Sequence, residues 1–343
     1  MSLTRRRLLG LGIGGLAALQ DGASQARPAL DSLDSEAIDV RAEPIRAFMA
    51  KSPEQVRFGA LAFRGGLVLS SPNKAFGGFS GLSRSADGAQ IVAITDNAHW
   101  LTARIERTGG VLSGLADTEM APMLNASGRA LSRTRSYDTE ALCIDNGFAY
   151  VGIERTHEIL RFDWGRRGVM ARGQSVPLPP EVKRLPANRS LEAVGVAPAA
   201  SPVAGAIVAI AERSGEHNEP TSGFIVGGPS PGPFRYQLGD GYEVTDLAFL
   251  PGGDMLVLER WYRPWRGVGA RLKRVDGRRL AAASLLEGQV LFEADLAHEI
   301  DNMEGLSVHR EGARTILTMI SDDNFSLFQR TVLLEFELLS GAE

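Results

Sequence analysis

Four carboxylates, Glu140, Glu192, Asp246 and Glu304, each lead a short apolar strand, and Ser80 takes that place in an earlier copy of the same phrase. A turn and a second apolar strand follow, and the second strand ends on another acid: Asp96, Glu154, Glu212, Glu259 and the pair Asp322-Asp323. Gathered around one axis, these carboxylates would repel one another unless a cation or hydrogen-bond donors offset their charge. All-oxygen donors suit a hard ion, Ca²⁺ or Mg²⁺, over softer metals. The expected ligands are Glu140, Glu192, Asp246, Glu259, Glu304, Asp322 and Asp323, with nearby amides such as Asn97, Asn302 and Asn324 able to complete the shell. A hard cation polarises a phosphoryl or carbonyl oxygen and activates water. Glu140, Glu192 and Glu304 would then belong to the catalytic set. The chain has no HExxH, CxxC or paired histidines at metal spacing, so zinc is not expected.

Histidines supply a second kind of proton chemistry. His99, His157 and His217 each follow a strand-end acid closely, which predicts loops near the carboxylates and makes His157 and His217 general acid–base candidates. Arg155, Arg213 and Arg260 directly follow Glu154, Glu212 and Glu259. Their forked guanidinium groups can bind a phosphate or carboxylate, or they can neutralise the neighbouring acids. Trp261 opens an aromatic and basic loop, WYRPWRG, that could form a substrate rim or a packed loop. No G-x-S-x-G elbow occurs, so a hydrolase triad of that kind is not supported.

The elements that position these residues are repeats. The phrase returns five times, over 79–97, 138–156, 190–215, 244–262 and 302–324, with lead residues 52 to 60 positions apart. Each copy leaves room for two more strands, which makes a four-stranded antiparallel sheet and predicts an all-β propeller of five blades, with six as the alternative. Asp87-Gly88, Asn146-Gly147 and Gly252-Gly253 fall between the paired strands and suit tight reversals. The fifth copy has only 331–339 left, so 56–70 is expected to supply its fourth strand and close the ring.

Around this domain, residues 55–340, the chain carries two leading segments. Arg5-Arg6-Arg7-Leu8-Leu9 resembles a twin-arginine export motif, followed by a short apolar stretch and small residues near Ala26. Residues 1–26 are therefore expected to be a signal peptide read by the twin-arginine machinery, which sends the folded chain to the periplasm or beyond. Residues 27–54 read as a polar leader. The net charge of −4 and the absence of a basic run disfavour nucleic acid, and no later stretch suits a transmembrane helix. Cys143 is the one cysteine and lies in an apolar strand, as a structural thiol would.

The segments FGGFSGLS (76–83), DTEAL (138–142), LEAVG (191–195), VTDLAFLPGGDMLVLER (244–260), DNMEGLSV (301–308) and ISDDN (320–324) together resemble the phytase-like family, named for an esterase-like activity of phytase. The resemblance spans roughly 55–340. It implies a secreted propeller acting on small-molecule phosphoesters or esters. Calcium-dependent propeller hydrolases share the same channel logic by analogy alone. A non-catalytic periplasmic scaffold, with loop 260–266 as its contact surface, is the alternative.

Overall fold

A computed structural model describes residues 32–339; the proposed signal peptide, 1–26, lies outside the described residues. Five small antiparallel sheets form a five-bladed propeller. The inner strands are Phe79–Arg84, Thr139–Asp145, Leu191–Val196, Glu243–Phe249 and Asn302–Glu311, and each touches the next around a closed ring. The second strands, Gln90–Thr95, Phe148–Ile153, Ile207–Ala211, Met255–Arg263 and Arg314–Asp322, pair with them, followed outward by two more per blade. The apolar cores lie between blades, because both faces of each sheet meet a neighbouring sheet.

Ring closure follows the expected pairing. Thr331–Leu338 runs antiparallel to Leu61–Ser70, with Thr331 opposite Leu69 and Leu338 opposite Leu61. N- and C-terminal chain segments thus share one blade, which leaves no open seam. Outer edges are lapped by borrowed strands: Leu124–Asn125 lies parallel to 172–173 of blade two, and Leu285–Leu286 parallel to 235–236 of blade three.

The supposed leader is different from residue 36 onward. Glu36–Ala37 pairs with Glu119–Met120 on the edge of blade one, and Arg41–Ile45 pairs with Gly66–Ser70 on the edge of blade five. Phe48 is fully buried against Phe58, Phe63, Phe292 and Phe336. Polar composition hides this, since an edge strand needs apolar residues on one face only. Phe48→Ala removes a ring from this close-packed cluster and is expected to cost about 3–5 kcal/mol. Chemical denaturation checks it, and a change below about 1 kcal/mol would show that the segment merely rests on the domain.

Candidate functional site: the acidic mouth of the channel

Each inner strand carries one β-bulge near its start. Pairing with the second strand skips one residue between 79 and 81, 139 and 141, 191 and 193, 244 and 246, and 303 and 305. The skipped residues are Ser80, Glu140, Glu192, Thr245 and Glu304. A bulge re-aims the side chain it carries and is common beside functional sites. On the second strand, one residue beyond the partner of the position that precedes each bulge, stand Asp96, Glu154, Glu212, Arg260 and Asp322. The two rings come together at one mouth of the channel.

This register corrects the fourth copy by one residue in each ring. Thr245, not Asp246, is the counterpart of Glu140, and Arg260, not Glu259, is the counterpart of Glu154. Asp246 is fully buried and accepts backbone N–H groups from Leu306 at 2.7 Å and Leu247 at 2.8 Å, stitching blade four to blade five. Glu259 points between blades three and four. It accepts from Tyr236 Oη at 2.7 Å and Arg271 Nε at 2.6 Å, and Lys273 Nζ stands 3.1 Å away. Both acids hold blades together, which takes them out of the ligand set.

Arg260 is the central cation of the mouth. Its Nη2 lies 3.2 Å from Glu212 Oε1, its Nε 3.1 Å from Glu304 Oε1, and its Nη1 donates to Asn302 Oδ1 at 3.0 Å. Asn302 Nδ2 donates in turn to Glu304 at 2.8 Å. Burial nevertheless dominates both acids. It pushes Glu212 up to about 7 and Glu304 up to about 8, with Arg260 pulling the other way. Asp322 is raised to about 7 by burial and its neighbour Asp323, against a hydrogen bond from the Asn324 backbone.

On the opposite side of the mouth, no cation among the described residues contacts Glu140, Glu192 or Asp96. Burial raises Glu140 well above the ordinary carboxylate range, reinforced by the charges of Asp138, Asp96, Glu154 and Glu304. Burial also raises Glu192, with Glu140, Glu212 and Glu154 adding to it. Asp96 is raised by burial and by Asp322 and Asp138. Glu154 stands beside Glu192 and accepts the Ser190 N–H at 3.3 Å. Glu140 has no hydrogen-bond or ion-pair partner among the described residues, and it stays partly exposed. The structure thus brings Glu140, Glu192 and Glu304 within reach of one another's charge.

Asp323 has a supporting part. Its Oδ1 accepts the N–H of Gly78 at 2.9 Å and of Phe325 at 3.1 Å, and its Oδ2 accepts the Thr331 hydroxyl at 3.1 Å. Arg155 and Arg213 are held by acids beside the mouth: Arg155 Nε is 3.0 Å from Asp138 Oδ2, and Arg213 Nε is 2.7 Å from Glu243 Oε1. Trp261 packs edge-on to Tyr242 and under Arg263, outside the carboxylate rings. His157 reaches Ser190 Oγ through Nδ1 at 2.7 Å and is half-buried, and His217 lies exposed in the loop after Glu212. His99 departs from expectation. It begins the third strand of blade one, is fully buried, and burial holds its imidazole down to about 4. Cys143 lines the far end of the channel, and burial pushes its thiol up to about 12, which suits a structural role.

Asp138 belongs with the mouth acids although no repeat position points to it. The one signal is its place directly before the lead strand, where its N–H donates to Asp96 O at 2.9 Å and joins blade one to blade two.

Comparison with solved structures finds proteins of distant sequence. An aldose sugar dehydrogenase from Streptomyces coelicolor, solved with PQQ bound, is 12% identical with a TM-score of 0.39, covering 88% of this chain and 99% of its own. A glutaminyl cyclase from Myxococcus xanthus is 11% identical with a TM-score of 0.40, covering 78% of this chain and 93% of its own. Likenesses this distant say nothing of activity. No curated protein matches the chain. The family model described as phytase-like, esterase-like activity of phytase, matches residues 74–325, from the loop before the first bulge to the loop beside Asp323. Together with five bulged blades around one acidic mouth, that match makes this chain a member of the phytase-like family.

Proposed function

We propose that this propeller hydrolyses ester or phosphoester bonds at its acidic mouth, assisted by a hard divalent cation, Ca²⁺ before others. The observation that carries the reading is Glu140, a carboxylate aimed by a bulge into a ring of acids and left without a partner. The donors there are all oxygen, as a hard cation requires. Among the described residues, no three acidic, imidazole or thiol groups stand close enough together to hold a metal ion between them. The reading is therefore of an open site, with Glu140 as the unengaged carboxylate, Glu192 or Asp96 beside it, and water as most of the shell. An open site of this kind leaves room for substrate.

When bound, the cation would polarise the substrate oxygen and offset the mutual repulsion of the acids. The chain's own residues supply the rest. Glu154 and Glu192 are neighbouring acids both raised by burial, so one of the pair can hold a proton while the other accepts one. Water bonds to the acyl carbon or phosphorus, the ester bond breaks, and the proton lost by water passes through this pair to the departing alkoxide. Arg260 and Asn302 fix Glu304 and confine the negative charge to the opposite side of the mouth.

Assays on a panel of phosphomonoesters, carboxylic esters and lactones test this reading. Metal-stripped protein should regain activity with Ca²⁺ and lose it with EDTA. Glu140→Gln and Glu192→Gln should each lower kcat/KM by roughly 10²-fold or more, the scale of a positioned acid–base group. Absence of turnover on every substrate with Ca²⁺ or Mg²⁺ present would favour a binding scaffold.

A further inference from the structure

The five connections between second and third strands all leave from the mouth face, and they differ in height. Blade one turns at 96–98 and blade two at 154–157, whereas blades three, four and five carry 212–220, an extended hairpin over 255–275, and 323–330. The mouth is thus low on the side of Glu140 and walled on the other. The wall of blade five carries the two most exposed large apolar side chains among the described residues, Leu327 at 99% and Phe328 at 96%.

That loop is built with unusual backbone. Asn324 and Phe325 both stand in the left-handed region, at φ of 48° and 49°. An aromatic residue there is a genuine outlier and persists only where its surroundings impose it. The surroundings do so here: Asp322 Oδ1 takes the Asn324 N–H at 2.6 Å, Asp323 Oδ1 takes the Phe325 N–H at 3.1 Å, and Ser326 N–H bonds Asp323 O at 2.7 Å. The Phe325 ring lies over Gly78, where a Cβ would come within 2.5 Å of both Phe325 Cε2 and Asp96 Oδ1. Gly78, at φ 61°, therefore makes room for an aromatic ring beside an acid of the mouth. At the foot of the loop a cleft of about 250 Å³ has a mixed lining, with Val68, Leu69 and Phe76 on one part and Asp323, Gln329 and Arg330 on another.

We propose that Phe325, Leu327 and Phe328 form the acyl side of the substrate site, so that the preferred substrate is a carboxylic ester with an extended apolar acyl chain. The inference rests on the hydrolase reading above. The strand that ends on Asp322 runs directly into this loop, and the Phe325 ring meets the same face of Gly78 as Asp96, so a reacting carbonyl near Asp96 would have its acyl chain led along Phe325 towards Leu327 and Phe328. Two adjacent apolar side chains held fully in water by a clamped loop stabilise nothing in the free protein. Covering them recovers apolar burial, about 0.8 kcal/mol per methylene, or roughly fourfold in binding. An anionic lipid surface fits less well, because the adjoining mouth is acidic. A polyphosphorylated substrate would leave the apolar wall uncovered.

The test compares p-nitrophenyl acetate, butyrate and octanoate with wild type and Leu327→Ser/Phe328→Ser, in Ca²⁺. Both side chains are exposed, so the double variant should melt with wild type. Wild type should prefer octanoate over acetate in kcat/KM by at least about tenfold, and the variant should lose most of that preference. Calorimetric binding of octylphosphonate against methylphosphonate reads the same contact without turnover. Tighter octyl binding that disappears in the variant upholds the acyl wall even if no ester is cleaved, in which case the hydrolase reading alone falls. Ester cleavage indifferent to chain length, with equal binding of the two phosphonates, overturns the acyl wall and leaves the hydrolase reading standing. Wild-type flotation with neutral phosphatidylcholine vesicles, lost in the variant and without chain-length preference, assigns the tip to lipid and also overturns it.

Discussion

Replacing Arg260 with Met should destabilise the metal-free protein by about 3–5 kcal/mol at pH 8, the scale for removing one partner of a buried ion pair. Arg260 touches Glu212, Glu304 and Asn302, and it is the counterpart in blade four of acids in the other blades. Its loss leaves two buried carboxylates without their cation. For a domain of this size each kcal/mol moves Tm by roughly 2–4 °C, so the expected fall is about 6–20 °C. The loss should shrink at pH 5.5, where Glu212 and Glu304, raised to about 7 and about 8, already hold protons. Ca²⁺ should restore more of the variant's Tm than it adds to wild type, since the mouth then has one positive charge fewer. Glu212→Gln/Glu304→Gln in the same chain should rescue it without metal. A loss equal at both pH values and untouched by the carboxamide changes would mean that Arg260 acts through its packed stem.

The second large effect is an inverted pH dependence of stability. Carboxylates with raised folded values bind protons more tightly when folded than when unfolded, so stability declines as pH rises from the unfolded value through the folded one. Glu212, Asp322 and Glu304 carry that decline up to about pH 7 to 8. Below pH 6.5 the buried imidazole of His99, held down to about 4, opposes the trend because the unfolded chain takes up that proton first. Each tenfold difference in proton affinity between folded and unfolded chain is worth about 1.4 kcal/mol, so metal-free protein should lose on the order of 3 kcal/mol between about pH 6.5 and 8.5. Saturating Ca²⁺ should flatten this decline, because an ion bound to the mouth favours the ionised acids and stabilises only the folded state. Denaturant titrations across that range, with Ca²⁺ and with EDTA, measure both slopes. A metal-free protein whose stability stays flat across the same range would show that the mouth acids are solvated and unperturbed. Equal slopes with and without Ca²⁺ would remove the main support for a cation at this site.

Copy four shows how far repeat matching reaches. Matching acid to acid pairs Asp246 with Glu140 and Glu259 with Glu154. Matching the apolar residues instead sets Leu247 beside Leu142, Val194 and Leu306, which brings Thr245 and Arg260 into the rings. The apolar signal is the better guide, because a one-residue slip in a strand exchanges its two faces and would bury the wrong set. His99 illustrates a related limit. Closeness in sequence to Asp96 says nothing of direction, and the tight turn sends the chain straight into a buried strand.

The sequence by itself determined five short-strand repeats, their turns, the closure of the ring from within residues 56–70, where the strand runs over 61–70, and the presence of acids at both ends of four of the five repeats. These features are local, written in apolar alternation and in residues that tolerate tight reversals. Only the tertiary structure decided which acids face the channel, which are engaged in joining blades, and that Arg260 stands among them. Those outcomes depend on where each inner strand bulges and on which neighbour each blade meets, and a single bulge shifts which residue is aimed at the axis. The burial that raises Glu140, Glu192 and Glu304 is likewise collective: it comes from five blades closing around a common axis, which no one repeat contains.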